Sequence, residues 1–207
     1  MALKDSTKID TGYFGANTNK SLRKISIKKI ARHGITSAKY SMLFQRLISY
    51  FNFTSILELG TSIGINTLYL AEKNANTRVF TFEGNPSLCA YASNVFGKAR
   101  ASNITLIKGN IEKELPEILE TGLHPEFVFF DANHKYEPTI KYFEILNHAR
   151  TETAVFVFDD IRWSGEMLKA WEIIRMHPDV KIDIDIFRMG ILILDRALPR
   201  ISCRLSY

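Results

Sequence analysis

Apolar and polar positions along this chain repeat with two different periods, and the two alternate for most of its length. Almost wholly apolar runs at 56–57, 78–82, 104–107, 126–130 and 154–158 read as short strands, in the main covered on both faces. Between them apolar residues recur at helical spacing, which predicts helices over 66–71, 87–96, 111–119, 138–149 and 166–176. Pro138 falls in the first turn of its helix, where a missing N–H costs nothing. A further helix over 37–51, with Met42, Leu43, Leu47 and Ile48 as its apolar set, leads into the first strand. Ile65, Leu68 and Tyr69 form the face by which the next helix is expected to pack on the sheet. Two last strands, 181–187 and 191–194, meet across Arg188-Met189-Gly190, and so tight a turn makes them antiparallel. Strands alternating with helices and closed by a hairpin predict an α/β fold, a mostly parallel sheet with helices on both faces and an antiparallel C-terminal strand.

Composition narrows this to one domain. At 207 residues and 46% hydrophobic content the chain can bury a sizeable core without a second one. Cys89 and Cys203 show no metal spacing and suggest neither a disulfide framework nor a zinc cluster, so a reducing compartment is expected. The opening MALKDSTKIDTGYFG lacks the apolar core of a signal peptide, and no segment approaches the roughly twenty apolar residues of a membrane span. A cytoplasmic protein is the expectation, with a homodimer as a compatible assembly.

The net charge is +5, and its basic excess gathers early, in Lys20, Arg23, Lys24, Lys28, Lys29, Arg32, Lys39 and Arg46. Such a cluster reads either as a nucleic-acid face or as a solvated helix face or lid over an acidic substrate; no aromatic stacking platform is interleaved, which argues against nucleic acid. Residues up to about Thr18 are polar and lack periodicity. We therefore divide the chain into a basic, partly flexible N-terminal arm over 1–36 and a domain over 37–207.

The densest chemistry lies where the first strand ends. Ile56 and Leu57 lead to Glu58, and Gly60 and Gly64 bracket a turn holding Thr61 and Ser62 before the helix begins. A missing Cβ lets the backbone approach a ligand closely, and a helix N-terminus favours a polar or anionic group there. Glu58 either binds at that turn or braces it through backbone amides. The next strand ends in Glu83, about twenty residues past the first glycine, where dinucleotide folds place a ribose-binding acid. Its other reading is a solvated acid at a strand end. A dinucleotide calls for G-x-G-x-x-G to seat its pyrophosphate, but Glu58-Leu59-Gly60-Thr61-Ser62-Ile63-Gly64 lacks the middle glycine.

The pattern E-x-G-x-x-x-G followed by a strand-end acid resembles motif I and its successor in class I S-adenosylmethionine-dependent methyltransferases, whose cofactor has a ribose but no pyrophosphate. That resemblance implies a Rossmann-like seven-stranded sheet and S-adenosyl-L-methionine as cofactor. It assigns Glu58, Gly60, Thr61, Ser62, Gly64, Glu83, Asn110 and Asp131 to cofactor contacts, with Asn110 near the adenine; alternatively Asn110 caps the following helix.

In open α/β sheets ligands bind beyond the carboxyl ends of the strands. Glu58 with Gly60, Glu83, Gly109 with Asn110, Asp131 with Asn133 and His134, and Asp159 with Asp160 all fall at such ends. Asp131, Asp159 and Asp160 would repel one another unless a cation or hydrogen bonds offset them, and hard oxygen ligands suit Mg²⁺, Ca²⁺ or Mn²⁺. The tracts DANHKYEPTIKYF and DDIRWSGEMLKAW resemble a small branch of the catechol-type O-methyltransferases, the likeness running from Tyr40 to Leu194. There an Asp after the fourth strand and an Asp-Asn pair after the fifth hold a divalent metal that binds substrate hydroxyls. The pair here is Asp159-Asp160; the extra charge either tightens a metal or means that these groups hold a substrate amine or cap a helix.

His134 is the candidate general base that takes a hydroxyl proton beside Asp131, or else a loop histidine bonded to a neighbouring acid for structure. Trp163 is a candidate substrate wall, whereas Trp171 reads as core. Asp131-Ala132-Asn133-His134 lacks the Pro-Pro-aromatic continuation expected for methylation of a DNA amine, and neither cysteine suits a C5 nucleophile. The expected activity is S-adenosylmethionine-dependent methyl transfer to an oxygen of a small molecule or glycan precursor. An NAD-binding oxidoreductase and a non-catalytic cofactor- or RNA-binding module on the same fold are the alternatives.

Overall fold

A computed structural model of the chain describes residues 2–10, 24–72 and 76–207. After a short 3-10 turn at Ala2–Lys4 the elements are β1 (Lys8–Asp10), β2 (Lys24–Ser26), α1 (Ile27–His33), α2 (Ala38–Tyr50), β3 (Ser55–Leu59), α3 (Ile65–Ala71), β4 (Arg78–Glu83), α4 (Pro86–Ala99) and β5 (Ile104–Lys108). They continue with α5 (Ile111–Glu120), β6 (Phe127–Phe130), α6 (Tyr136–Ala149), β7 (Ala154–Phe158), α7 (Gly165–Ile174), β8 (Ile182–Asp185), β9 (Gly190–Leu194) and β10 (Ile201–Arg204). The chain forms two compact units, residues 1–54 with 60–114 and residues 55–59 with 115–207.

In the first unit β4 and β5 run parallel, with Val79 opposite Ile104 and Glu83 opposite Lys108. Helices α2 and α3 form as the spacing predicts, but of the apolar set expected inside α2 only Ile48 is buried, and α3 turns a different face inward. Ser41, Phe44, Gln45 and Ile48 are buried in α2, and Met42 is 44% exposed. In α3 the buried set is Asn66, Thr67, Leu70 and Ala71, while Ile65, Leu68 and Tyr69 are only partly covered. The cause is polar pairing. The Ser41 hydroxyl donates to Asn66 Oδ1 at 2.8 Å, and Gln45 Nε2 donates to the Tyr69 carbonyl at 2.9 Å and to Glu72 at 2.7 Å. Once satisfied, such groups no longer carry the penalty that keeps polar residues outside.

Part of the expected N-terminal arm is ordered into this unit. β1 and β2 pair antiparallel, and Ile9, Ile27 and Ala31 are buried with Ile63, with Ile65, Leu88 and Tyr91 packed against them. The Tyr91 hydroxyl donates to Asp5 at 3.0 Å. Of the early basic set, Lys20 and Arg23 lie outside the described residues, as do residues 11–18 of the stretch expected to lack structure.

The second unit holds strands in the order β10-β8-β9-β7-β6-β3. β3, β6 and β7 run parallel, and every residue of the three is buried, which is why their sequences carry almost no polar alternation. β9 runs antiparallel to β8, as the tight turn predicts, and also antiparallel to β7. The edge strand β10, parallel to β8, is an addition to the seven strands expected. It docks through charge rather than apolar burial. Asp183 and Asp185 on β8 are fully buried, and each meets two arginines, Arg175 and Arg200 for Asp183, Arg162 and Arg204 for Asp185. Trp171 is wholly buried, as expected, with its ring so close over Gly190 that no side chain fits there. Among the described residues no helix is long and apolar enough to cross a membrane.

Candidate functional site

The glycine loop of the first unit is built against the end of β4. The Gly60 and Thr61 N–H groups both donate to the Phe82 carbonyl, at 3.1 and 3.0 Å, and the Thr61 and Thr81 hydroxyls pair at 2.6 Å. The Gly64 N–H closes the turn on the Thr61 carbonyl at 2.9 Å. Gly64 adopts φ 78°, and a Cβ there would lie 2.7 Å from the Phe96 ring, so both backbone and packing require glycine. Ser62, at φ 51°, is also left-handed and stands at the crest.

Glu83 ties this loop to its own strand. Its Oε2 accepts the Ser62 N–H at 2.9 Å and its Oε1 the Asn85 N–H at 2.8 Å. The structure thus brings Ser62 and Glu83 together, and Glu83 is partly covered rather than merely solvated. Glu58 is fully buried near the end of β3. Gly109 donates its N–H to the Glu83 carbonyl at 3.0 Å, and Asn110 follows it. Asn110 Oδ1 accepts the Glu112 N–H at 3.0 Å and its carbonyl those of Lys113 and Glu114, so Asn110 caps α5. Sequence reasoning missed Asn85. It is 2% exposed, caps α4 through Ser87 and Leu88, and donates Nδ2 to the Asp10 carbonyl at 2.7 Å, joining the N-terminal ribbon to this loop. Its signal was an Asn directly before Pro86, a helix-start pair.

In the second unit Phe130 lies opposite Phe158, so Asp131 and Asp159 leave neighbouring strands at one level. His134 Nε2 stands 3.3 Å from Asp131 Oδ1, and Asn133 and His134 hold φ of 61° and 43°. Asp160, at φ 51°, is a third left-handed residue at this rim, and such strain concentrates at functional loops. The exposed Trp163 ring lies 6.4 Å from the His134 ring, centroid to centroid.

Arg188, in the turn between β8 and β9, was read from sequence only as a turn residue. Its Nε and Nη2 grip the two oxygens of Asp159 at 3.1 and 3.2 Å, and Nε also reaches Asp160 at 3.2 Å. No local signal could have found it, because the pairing depends on hairpin register.

The electrostatics follow from crowding. Burial, with the charges of Asp131 and Asp160 adding to it, pushes Asp159 up to about 7 in spite of Arg188. Burial likewise raises Asp131, against its hydrogen bond with His134. Burial opposes the His134 imidazolium, but the Asp131 hydrogen bond and the surrounding carboxylates outweigh it and raise the histidine above its ordinary value.

Asp131, Asp159 and Asp160 do not fit the divalent metal that the resemblance implies. Mg²⁺ and Ca²⁺ gather oxygens at roughly 2.0–2.6 Å. Here the Arg188 guanidinium holds Asp159 and Asp160, and His134 holds Asp131. Among the described residues no group of three or more His, Cys, Asp and Glu side chains is arranged to hold a metal ion.

A family model described as a methyltransferase domain matches residues 57–161. No curated protein matches the chain significantly. Solved structures do. An O-methyltransferase from Bacillus cereus in complex with SAH is 20% identical, with TM-score 0.69 over 79% of this chain and 84% of that one. TomG, an O-methyltransferase from Streptomyces achromogenes involved in tomaymycin synthesis and solved with SAM, is 22% identical, with TM-score 0.62 over 78% and 81%. SAH-bound methyltransferase PaMTH1 of Podospora anserina is 16% identical, with TM-score 0.67 over 78% and 80%. At these identities the likeness is one of fold.

Proposed function

The chain belongs to the methyltransferase-domain family, and from that premise we propose that it transfers the methyl group of S-adenosyl-L-methionine to a hydroxyl oxygen of a small molecule or glycan precursor. The observation that carries this is the Ser62–Glu83 bond, which sets a strand-end carboxylate beside a left-handed glycine loop. That SAM or SAH is bound by the Streptomyces, Bacillus and Podospora proteins supports the choice of cofactor.

Glu83 would accept the ribose hydroxyls, its carboxylate being held in position by the Ser62 and Asn85 amides. Gly60, Thr61, Ser62 and Gly64 would line the cofactor with backbone, and Asn110 would add to its contacts from the start of α5. The cofactor supplies a methyl group already activated on a sulfonium. What remains for the protein is alignment and removal of the acceptor's proton.

His134 is suited to the second task. A neutral imidazole carries one ring proton, and the contact with Asp131 places it on Nε2. Nδ1 is then the basic atom, and it is buried without a hydrogen-bond partner. A substrate hydroxyl at Nδ1 would satisfy that orphan and surrender its proton to it, Asp131 stabilising the imidazolium formed. Because Nδ1 is covered, the strained Asn133–His134 turn has to shift to admit the acceptor. Exposed Trp163 would wall the acceptor, and two unbridged cysteines, Cys89 and Cys203, suit a cytoplasmic setting.

Calorimetric titration with S-adenosylhomocysteine tests the assignment. One site per chain is expected, with no saturable response to NADH; absence of S-adenosylhomocysteine binding would remove it.

A further inference from the structure

Three carboxylates crowd the ends of β6 and β7, and a protein that buries such a group supplies a counter-charge. The charge here belongs to the chain. Arg188 faces Asp159, which is 1% exposed, with a two-point fork, and the same Nε reaches Asp160. The fork is positioned from behind. The Arg188 carbonyl accepts the Ile161 N–H at 3.0 Å, its own N–H donates to the Ile186 carbonyl at 2.9 Å, and Phe187 before it holds φ 69°. The hairpin turn is thereby fastened to the loop that carries Asp160. A guanidinium does not lose its proton in proteins and cannot exchange with solvent as an ion does.

We propose that Arg188 occupies the role of the divalent cation in catechol-type enzymes, as a fixed positive charge that holds Asp159 and Asp160 in place and makes methyl transfer independent of metal. The inference rests on the methyl-transfer reading and narrows its substrate class. A chelated metal selects acceptors with two adjacent hydroxyls, because it binds both. With Arg188 committed to Asp159 and Asp160, the acceptor needs a single hydroxyl delivered to His134. Arg188 is a positioning residue, since it acts through the carboxylates.

Binding of Mn²⁺, followed by electron paramagnetic resonance on the full chain, tests this without any turnover. The wild type is expected to show no saturable site at millimolar metal. Arg188→Ala, and Arg188→Met, which keeps the apolar stem should the alanine variant fail to fold, are each expected to gain one site that adding Asp159→Asn abolishes. A merely structural arginine would leave no such site when removed. A one-to-one Mn²⁺ site in the wild type that Asp159→Asn removes would overturn the proposal, and so would folded variants that gain none. S-adenosylhomocysteine calorimetry on the same samples separates the two claims: no binding by the wild type overturns the methyl-transfer reading, whatever the manganese shows. Once an acceptor is in hand, turnover in excess chelator is expected to be undiminished, and a single-hydroxyl acceptor is expected to serve as well as a vicinal diol.

Discussion

The backbone N–H of Ser62 donates to Glu83 Oε2 at 2.9 Å, so the acid that ends β4 also holds the crest of the glycine loop. One carboxylate therefore fixes the loop's conformation, and under the proposed function it also accepts the ribose.

Glu83→Ala removes both functions. Loss of a hydrogen bond to a charged group is worth roughly 1.5–3 kcal/mol, so S-adenosylhomocysteine affinity is expected to fall about 10- to 150-fold. Calorimetry checks this, and unchanged affinity would refute the ribose assignment.

His134→Ala is expected to spare cofactor affinity and lower kcat by about 10² to 10⁴, the usual contribution of a positioned base. Because surrounding carboxylates raise the His134 pKa, the base is neutral only at higher pH. The wild-type rate should therefore climb with pH through a midpoint above the ordinary value of about 6.5. A kcat untouched by the substitution would assign His134 to structure alone.

The β8 carboxylates give a stability prediction. Arg162 grips both oxygens of Asp185 at 2.9 and 2.6 Å, and the Phe187 N–H adds a third bond at 2.8 Å. The Arg162 hydrogen bonds lead in lowering Asp185 to about 2. A depressed carboxylate contributes stability above its unfolded pKa and loses it as pH falls through the folded one. Urea unfolding should then lose about 2 kcal/mol between roughly pH 4 and pH 2 on this account, a loss absent from Asp185→Asn. Parallel pH profiles for the two proteins would contradict it.

Much of this was legible in the chain. The core strands β3, β6 and β7 announced themselves because every residue in them is buried, and the end of β4 did so because its apolar run stops at an acid, Glu83, which the structure ties to the glycine loop through Ser62. What stayed hidden depended on partners far along the sequence. The α2 face was misassigned because Ser41 and Gln45 go inside only once Asn66 and the Tyr69 carbonyl satisfy them. β10 reads as Ile201-Ser202-Cys203-Arg204, without an apolar run, because arginine pairs with Asp183 and Asp185 bring it to the sheet edge. Three acids spoke for a metal when read alone; Arg188, 28 or 29 residues after two of them, reaches them only through the β8–β9 turn.

The most direct measurement is a crystal structure of the chain with S-adenosylhomocysteine bound. The ribose hydroxyls are expected on the Glu83 carboxylate, with the Ser62–Glu83 bond intact. A nucleoside bound away from Glu83 and the 60–64 loop would contradict the account.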